Sequence, residues 1–171
     1  MLVTFRPLCD WDLPLLHRWL NEPGVVRWWE GDDVSWEGVV KDYSTAGRAG
    51  DPCEHWIAVV DGRDVGWIQL WDVQTEPDEV APWWALGVDR TAAGIDYLLG
   101  ASVDRGKGIG ASMIRAFSED AFARHPECTQ LCAAPYEDNT ASWKALERAG
   151  YRYLGDVPDK EGIGRLMVLS R

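Results

Sequence analysis

Hydrophobic positions recur along the chain with two different periods. Apolar residues at helical spacing and runs of β-branched or aromatic residues between turn residues follow one another from end to end. Predicted helices cover residues 10–20, 35–45, 110–124 and 139–148. Predicted strands cover residues 2–6, 55–61, 65–73, 93–101, 129–134, 151–154 and 165–169. No repeat or linker interrupts this order, so the pattern predicts a single mixed α/β domain over residues 1–171.

Residues at the element ends support these assignments. Asp10 and Ser35 are typical N-caps for the first two helices, and Gly150 is a typical stop for the last one. Residues 61–64 contain an Asp-Gly pair between two strand patterns, which predicts a β-hairpin. Residues 74–82 are acidic and contain two prolines, so they are predicted to form a loop at the rim of the sheet.

Charge and composition narrow the class of ligand. The chain has 171 residues, of which 46% are hydrophobic, and a formal net charge of −11. Such an acidic chain is a poor candidate for binding nucleic acid, which needs a basic face against the phosphates. A negative surface instead attracts cations. The eleven tryptophans provide flat faces on which cations and sugar rings can lie.

Several other classes of protein are disfavoured. The N-terminal residues lack the pattern of a signal peptide, and no apolar run approaches the ~20 residues of a membrane span, so a cytoplasmic protein without membrane contact is expected. The four cysteines form no C-x-x-C pair, and Cys128 and Cys132 are expected to be buried thiols. The three histidines have no metal-ligand spacing, so no metal is expected.

A glycine-rich turn between a strand and the strongest helix is the most specific local signal. The sequence from Arg105 to Ala111 contains three glycines and two basic residues. At a helix N-terminus, these residues predict a cradle of backbone N–H groups for a pyrophosphate, against the alternative of a flexible surface turn. A P-loop is excluded because Ala101 and Gly108 stand where it requires glycine and Ser/Thr. A dinucleotide-binding unit is disfavoured because it usually opens its domain.

The same turn resembles the R-x-x-G-x-G/A motif of the GNAT N-acetyltransferase superfamily, with Arg105, Gly108 and Gly110 at the defined positions. The segment from Asn139 to Tyr151 resembles that family's second motif, and the order of elements agrees along the whole chain. The resemblance implies acetyl-CoA as co-substrate and a central, mostly antiparallel sheet with two splayed parallel strands, flanked by helices. It implies cofactor contacts from Leu98, Leu99, Arg105, Gly106, Lys107, Gly108, Ile109, Gly110, Ala111 and Asn139.

Three further segments resemble aminoglycoside 6′-N-acetyltransferases in particular. Residues 12–21 resemble the D-L-x-x-L-x-x-W-L-N opening, and residues 26–31 resemble V-x-W-W-x-G. The pair Trp83–Trp84, followed at the matching distance by Gly94-Ile95-Asp96, is the third. Together they imply transfer of an acetyl group to an amine of a polycationic aminoglycoside.

Asp96 is the candidate catalytic residue, because it lies on the central strand just before the cofactor segment. A carboxylate there can hold the attacking amine and accept its proton directly or through water. An ordinary aspartate, with a pKa of about 3.9, is a weak base at neutral pH, so either burial strengthens it or positioning is its main role. The alternative is a strand-end carboxylate paired with an arginine. Backbone N–H groups near Leu98 and Leu99 would polarise the thioester carbonyl.

The acceptor residues follow from the same resemblance and from the charge pattern. The candidates are Trp28, Trp29, Asp32, Trp84, Asp89, Tyr97, Glu137 and Asp138. One ring of each tryptophan pair is expected to be packed and the other exposed, as on a strand. Trp19, Trp56 and Trp143 are expected in the core.

The chain departs from these families at three positions. Leu146 stands where many members carry a tyrosine that acts as general acid, so protonation of the thiolate by water is expected, with Tyr151 in the core. Ala81 and Ala134 stand where relatives often have acidic residues, so the nearby Asp78 and Glu79, together with Glu137 and Asp138, are expected to supply the negative charge.

An aminoglycoside 6′-N-acetyltransferase, monomeric or homodimeric, is therefore the leading hypothesis. A second hypothesis keeps the reaction and changes the acceptor to a siderophore-type lysine or a protein N-terminal amine. A third is a non-catalytic module that binds acyl-CoA or an antibiotic.

Overall fold

The computed structural model describes residues 1–29, 31–159 and 162–171, and at Val103 the backbone alone. In these residues the helices are α1 (Leu13–Leu20), α2 (Pro23–Val26), α3 (Trp36–Tyr43), α4 (Pro77–Ala85), α5 (Ile109–Arg124) and α6 (Thr140–Ala149). The strands are β1 (Val3–Pro7), β2 (Glu54–Val60), β3 (Arg63–Asp72), β4 (Ala93–Leu99), β5 (Gln130–Ala133), β6 (Arg152–Asp159) and β7 (Gly162–Ser170). No helix in these ranges has the length and apolar character needed to cross a membrane.

The seven strands form one sheet in the order β1-β2-β3-β4-β5-β7-β6. The sheet is mostly antiparallel, and β4 and β5 form its parallel pair. The predicted mixed α/β architecture is therefore confirmed. The hairpin between β2 and β3 turns at Asp61 and Gly62, which both have positive φ angles of 48° and 79°, as a two-residue hairpin turn requires.

The chain comprises two compact units. Unit 1 contains residues 1–69 and 97–107, and unit 2 contains residues 70–96 and 108–171. Strands β3 and β4 each contribute residues to both units.

In unit 1, the apolar faces of α1 and α3 pack against the sheet. Leu16 of α1, Val39 of α3, and Ile57 and Trp67 of the sheet are fully buried in one cluster. Helix α3 begins where the sequence predicts, because the Ser35 hydroxyl accepts the N–H of Gly38 at 3.1 Å. The predicted first helix begins later than expected. Asp10 lies in a short 3-10 turn, and its carboxylate accepts the N–H of Thr45 at 2.7 Å rather than capping α1.

In unit 2, α5 and α6 pack together, and α6 also contacts β6 and β7. Asn139 caps α6 by accepting the N–H of Ser142 at 3.3 Å, and Gly150 ends the helix with a φ of 104°. Strands β6 and β7 are longer than predicted. Their antiparallel pairing continues to Asp159 and Gly162. The pairing therefore places in strands polar residues whose composition does not by itself predict a strand.

The prediction of a loop over residues 74–82 is wrong, because most of this segment is α4. Pro77 stands in the first turn of the helix, where its missing N–H costs nothing, and Asp78 and Glu79 complement the helix dipole. Val80 and Trp83 are buried on the inner face of α4. Proline and acidic residues thus mark the start of a helix here rather than a loop.

Candidate active site

The glycine-rich turn has the backbone geometry that an anion cradle needs. Gly106 and Gly108 have φ angles of 74° and 79°, a conformation that residues with a side chain rarely adopt. Gly108 is the N-cap of α5, and its carbonyl accepts the N–H of Ser112 at 3.1 Å. The N–H groups of residues 109–111 precede this first helical bond, so the positive end of the helix dipole lies at the turn.

Ion pairs hold the segment before the turn. The buried carboxylate of Asp104 accepts two hydrogen bonds from Arg63, at 2.7 and 2.9 Å, which hold its pKa below the usual range. Arg105 donates to Glu22. Lys107 is exposed. Two cations therefore stand at the turn of an otherwise acidic chain, one of them already paired with a carboxylate.

Strands β4 and β5 pair in parallel only briefly. The pairing joins Ala93 to Leu131 and Gly94 to Cys132. Beyond it, β4 continues to Leu99, whereas β5 ends at Ala133. The half-buried Asp96 lies just past the paired residues. The following residues Tyr97, Leu98 and Leu99 are half-buried, buried and half-buried, respectively.

Trp71 is a site residue that the sequence analysis missed. Its half-buried indole lies directly over Gly94, where a Cβ atom would overlap the ring. It also packs against Trp83, with 5.6 Å between ring centroids. Residues two apart on a strand share a face, so Gly94 and Asp96 point to the same side of β4. Two sequence signals could have identified this contact. They are the alternation of side-chain direction along β3, which contains Trp71, and the glycine in β4, which leaves space for a ring.

The second tryptophan pair lies on α4 rather than on a strand. Trp83 is buried against Val73 and Val80, and Trp84 is half-buried against the same cluster. The guanidinium of Arg90 lies over the Trp84 ring, 3.6 Å from its centroid. One ring of the pair is therefore packed, and the other already carries a cation.

The first tryptophan pair follows α2, again outside any strand, and both rings are half-buried. Trp29 packs edge-on against the fully buried Trp67 at 5.7 Å, and the Arg27 guanidinium lies 4.3 Å from the centroid of Trp28. Asp32 is exposed. Glu30, which belongs to the predicted V-x-W-W-x-G segment, lies outside the described residues.

Of the tryptophans predicted in the core, only Trp19 is buried. Trp56 and Trp143 are half-buried, so their assignment to the core is wrong. The indole N–H of Trp143 donates to the Glu137 carbonyl at 3.1 Å. A tryptophan N–H that needs a partner is met more easily near the surface.

The remaining acceptor candidates have different surroundings. Glu137 and Asp138 are exposed immediately before the Asn139 cap of α6. Asp89 precedes β4, and its carboxylate accepts the Thr129 hydroxyl at 2.7 Å. This contact lies at the start of β5, whereas Ala134 follows the end of β5. Asp89 and Ala134 are therefore at opposite ends of the β4–β5 pair.

None of the buried thiols is suited to carry an acyl group. Cys132 is buried in β5, and burial raises the pKa of its thiol to about 12. Burial likewise raises the pKa of Cys128. Both side chains are buried as predicted, and at neutral pH both remain protonated and weakly nucleophilic. No group of His, Cys, Asp and Glu able to hold a metal ion occurs among the described residues.

Residues 9–158 match the family model described as "Acetyltransferase (GNAT) domain". The chain belongs to the GNAT acetyltransferase family. It is 30% identical over 171 residues to "Aminoglycoside N(6′)-acetyltransferase type 1" of Klebsiella pneumoniae, an alignment that spans 99% of this chain and 83% of that protein. A "Kanamycin resistance protein" of Rhizobium radiobacter is 33% identical over 89 residues, which are 52% of this chain and 82% of that protein.

Solved structures agree with the sequence relatives. AAC(6′)-Ib in complex with parmomycin and acetyl-CoA matches with a TM-score of 0.87 and 31% identity, over 99% of this chain and 93% of that one. The same acetyltransferase with coenzyme A and kanamycin matches with a TM-score of 0.86 and 30% identity, over 99% and 95% of the two chains. The GNAT fold expected from the sequence is thereby confirmed.

This GNAT acetyltransferase has leucine at position 146, where the resemblance implies a tyrosine in many family members. Leu146 is fully buried on α6. Tyr151 is also buried, and its hydroxyl lies 2.8 Å from the hydroxyl of Ser118. Ser118 donates its own proton to the Ile114 carbonyl at 2.7 Å, so Tyr151 is the donor in this pair. The Tyr151 proton is therefore committed to a structural hydrogen bond.

Tyr151→Phe is expected to leave kcat within about twofold of the parent enzyme. Loss of the hydrogen bond to Ser118 lowers the free energy of unfolding by about 1 kcal/mol. Urea unfolding and steady-state kinetics measure the two effects separately. A fall of kcat by more than tenfold in a folded variant would instead identify Tyr151 as the proton donor.

Proposed function

We propose that the protein is a cytoplasmic aminoglycoside 6′-N-acetyltransferase that transfers an acetyl group from acetyl-CoA directly to the amine. The observation that carries the proposal is that Asp96 lies on the central strand β4 and is followed along the chain by the glycine turn at the start of α5. The 30% identity to an aminoglycoside N(6′)-acetyltransferase over nearly the whole chain supports the same acceptor class.

The glycine turn is assigned to the pyrophosphate of acetyl-CoA. The N–H groups of Ile109, Gly110 and Ala111 at the start of α5 bind phosphate oxygens, and Lys107 and Arg105 add charge. Asn139 is assigned to the pantetheine arm. Its amide oxygen caps α6, and its amide nitrogen is assigned as the donor to the pantetheine arm.

Asp96 is assigned to the acceptor amine. Acetyl-CoA supplies a thioester whose carbonyl carbon is the electrophile. The carboxylate of Asp96 orients the ammonium group of the acceptor and receives its proton, directly or through water, so that the neutral nitrogen can attack the carbonyl carbon. The second proton, lost as the C–N bond forms and the C–S bond breaks, passes to water. Backbone N–H groups near Leu98 and Leu99 donate to the carbonyl oxygen, where negative charge develops.

The thiolate leaves with the help of water. A thiol with a pKa near 8.5 leaves unprotonated at pH 7 at a cost of about 2 kcal/mol, so no dedicated acid is needed. The buried thiols of Cys128 and Cys132 support direct transfer over a thioester on the protein.

We assign the acceptor contacts to tryptophan side chains and their neighbours, taken within each unit separately. In unit 2, the indole of Trp71 beside Gly94 provides a flat wall on the Asp96 side of β4. Ala134 packs against the same cluster as Trp71 and adds no charge to this wall. Tyr97, Trp29 and Asp32 remain candidates from unit 1, and Trp28, Trp84, Glu137 and Asp138 are assigned to the outer rings and amines. The Arg27 and Arg90 guanidiniums over Trp28 and Trp84 indicate that these ring faces accept cations.

Release of free thiol from acetyl-CoA tests the function. Purified enzyme is expected to release thiol with kanamycin and to yield a product heavier by one acetyl group at the 6′-amine by mass spectrometry and NMR. Peptides with free N-termini and lysine side chains serve as competing acceptors. Turnover with a peptide but not with kanamycin would favour the second hypothesis, in which the acceptor is a lysine or a protein N-terminal amine. Tight binding of CoA and kanamycin without turnover would favour a non-catalytic binding module.

A further inference from the structure

Arg105 of the glycine turn is held by a carboxylate in unit 1. Its guanidinium donates to Oε2 of Glu22, and the same oxygen accepts the N–H of Gly24 at 2.9 Å. The Arg105 side chain is 33% exposed and that of Glu22 is 26% exposed, so the pair is partly shielded from water. The hydrogen bond from Arg105 lowers the pKa of Glu22, because it stabilises the ionised carboxylate.

This ion pair connects Arg105 to the segment that carries the first tryptophan pair. Glu22 is the N-cap of α2, and a Cβ atom at Gly24 would overlap the Arg105 guanidinium. Arg105 therefore lies against the backbone of α2. The chain runs from α2 directly into Trp28 and Trp29, whose N–H groups bond to the last turn of the helix at 2.9 and 3.0 Å.

We infer that Glu22 is a positioning residue that competes with the pyrophosphate of acetyl-CoA for Arg105. The inference rests on the proposed assignment of Arg105 to the pyrophosphate. Two anions beside one guanidinium repel each other, so Glu22 weakens cofactor binding and loses its partner when the cofactor is bound. The released carboxylate then adds an unneutralised negative charge at the start of α2, next to the tryptophans assigned to the cationic acceptor.

The exchange makes the two substrates cooperate. Bound acetyl-CoA strengthens binding of the cationic acceptor through Glu22, and by linkage the acceptor strengthens binding of acetyl-CoA by the same factor.

Calorimetric titration of the 171-residue protein with CoA tests the competition. Glu22→Gln is expected to bind CoA about fivefold more tightly, which is about 1 kcal/mol and the upper range for an ion pair of this exposure. In an Arg105→Gln background the same change is expected to alter the affinity by less than twofold. Glu119→Gln, on the exposed face of α5, removes the same charge and is the control for net charge.

A second readout follows the acceptor. In the parent protein, saturating CoA is expected to tighten kanamycin binding about fivefold, and in Glu22→Gln by less than twofold. At kanamycin concentrations below its KM, Glu22→Gln is expected to have a lower KM for acetyl-CoA than the parent, and this difference is expected to disappear at saturating kanamycin.

The outcomes separate this inference from the proposed function. If Glu22→Gln tightens CoA binding equally in both backgrounds, its effect is general electrostatics and the competition for Arg105 is wrong. Unchanged or weaker CoA binding in Glu22→Gln would also overturn it, while the acetyltransferase assignment stands. If Arg105→Gln alone leaves CoA affinity unchanged, the assignment of Arg105 to the pyrophosphate fails, and the inference fails with it.

Discussion

Asp96→Asn is expected to lower kcat by about 10²–10⁴-fold, the range found for loss of a positioned general base. The substitution preserves the shape of the side chain and removes its ability to accept a proton. It leaves β4, and the pairing of its first residues with β5, undisturbed. The KM for acetyl-CoA is expected to stay within about threefold, because Asp96 is assigned to the amine and not to the cofactor.

The pH profile distinguishes a base from a residue that only orients the amine. If Asp96 receives the proton, the deficit of the variant shrinks as the pH rises above the pKa of the acceptor amine, because the nitrogen then arrives neutral. Asp120→Asn is the matched control, since it removes a carboxylate from the surface pair with Arg124 on α5. A kcat within about fivefold of the parent would rule out a catalytic role for Asp96.

Gly94→Ala is expected to damage both stability and catalysis. The new Cβ would overlap the indole of Trp71, so either the ring or β4 must move. Overpacking of this kind lowers the free energy of unfolding by about 1–3 kcal/mol. A shift of β4 also displaces Asp96, and a displacement of about 1 Å near the reacting atoms can lower the rate about 10²-fold.

A double-mutant cycle with Trp71→Ala identifies the cause. Without the indole, Gly94→Ala is expected to cost less than about 0.5 kcal/mol, because the space over β4 is then open. Urea unfolding gives the stabilities, and thiol release gives the rates. Equal costs of Gly94→Ala in both backgrounds would show that the Trp71 contact is not what requires glycine at this position.

Local chemistry explains which features were predictable from the sequence. A left-handed backbone conformation favours glycine, so the glycines at positions 106 and 108 indicate the turn from the sequence alone. The hairpin at Asp61–Gly62 and the caps of α3 and α6 likewise depend on residues close in the chain. These elements were assigned correctly because each is specified within a few residues.

The wrong predictions have one physical origin, which is that burial and hydrogen-bond partners in the tertiary structure decide between conformations that the local sequence allows. Helix α4 carries proline and acidic residues that occur both at helix starts and in loops, and burial of its inner face favours the helix. Neither tryptophan pair lies on a strand, so the expected division into one packed and one exposed ring does not follow: both rings of the first pair are half-buried, and the second pair has one buried and one half-buried ring. Trp56 and Trp143 appear suited to the core by composition, but their polar N–H groups have partners nearer the surface.

The sequence by itself determined the order of elements, the glycine turn at the start of α5, the candidate base Asp96 and the absence of a tyrosine at position 146. Each of these depends on residue type and on spacing along the chain. The tertiary structure decided that Trp71 lies over Gly94, that the hydroxyl of Tyr151 is committed to Ser118 and that Arg105 pairs with Glu22. Such contacts join residues 23 to 83 positions apart in the chain, and only packing selects them among many chemically equivalent partners.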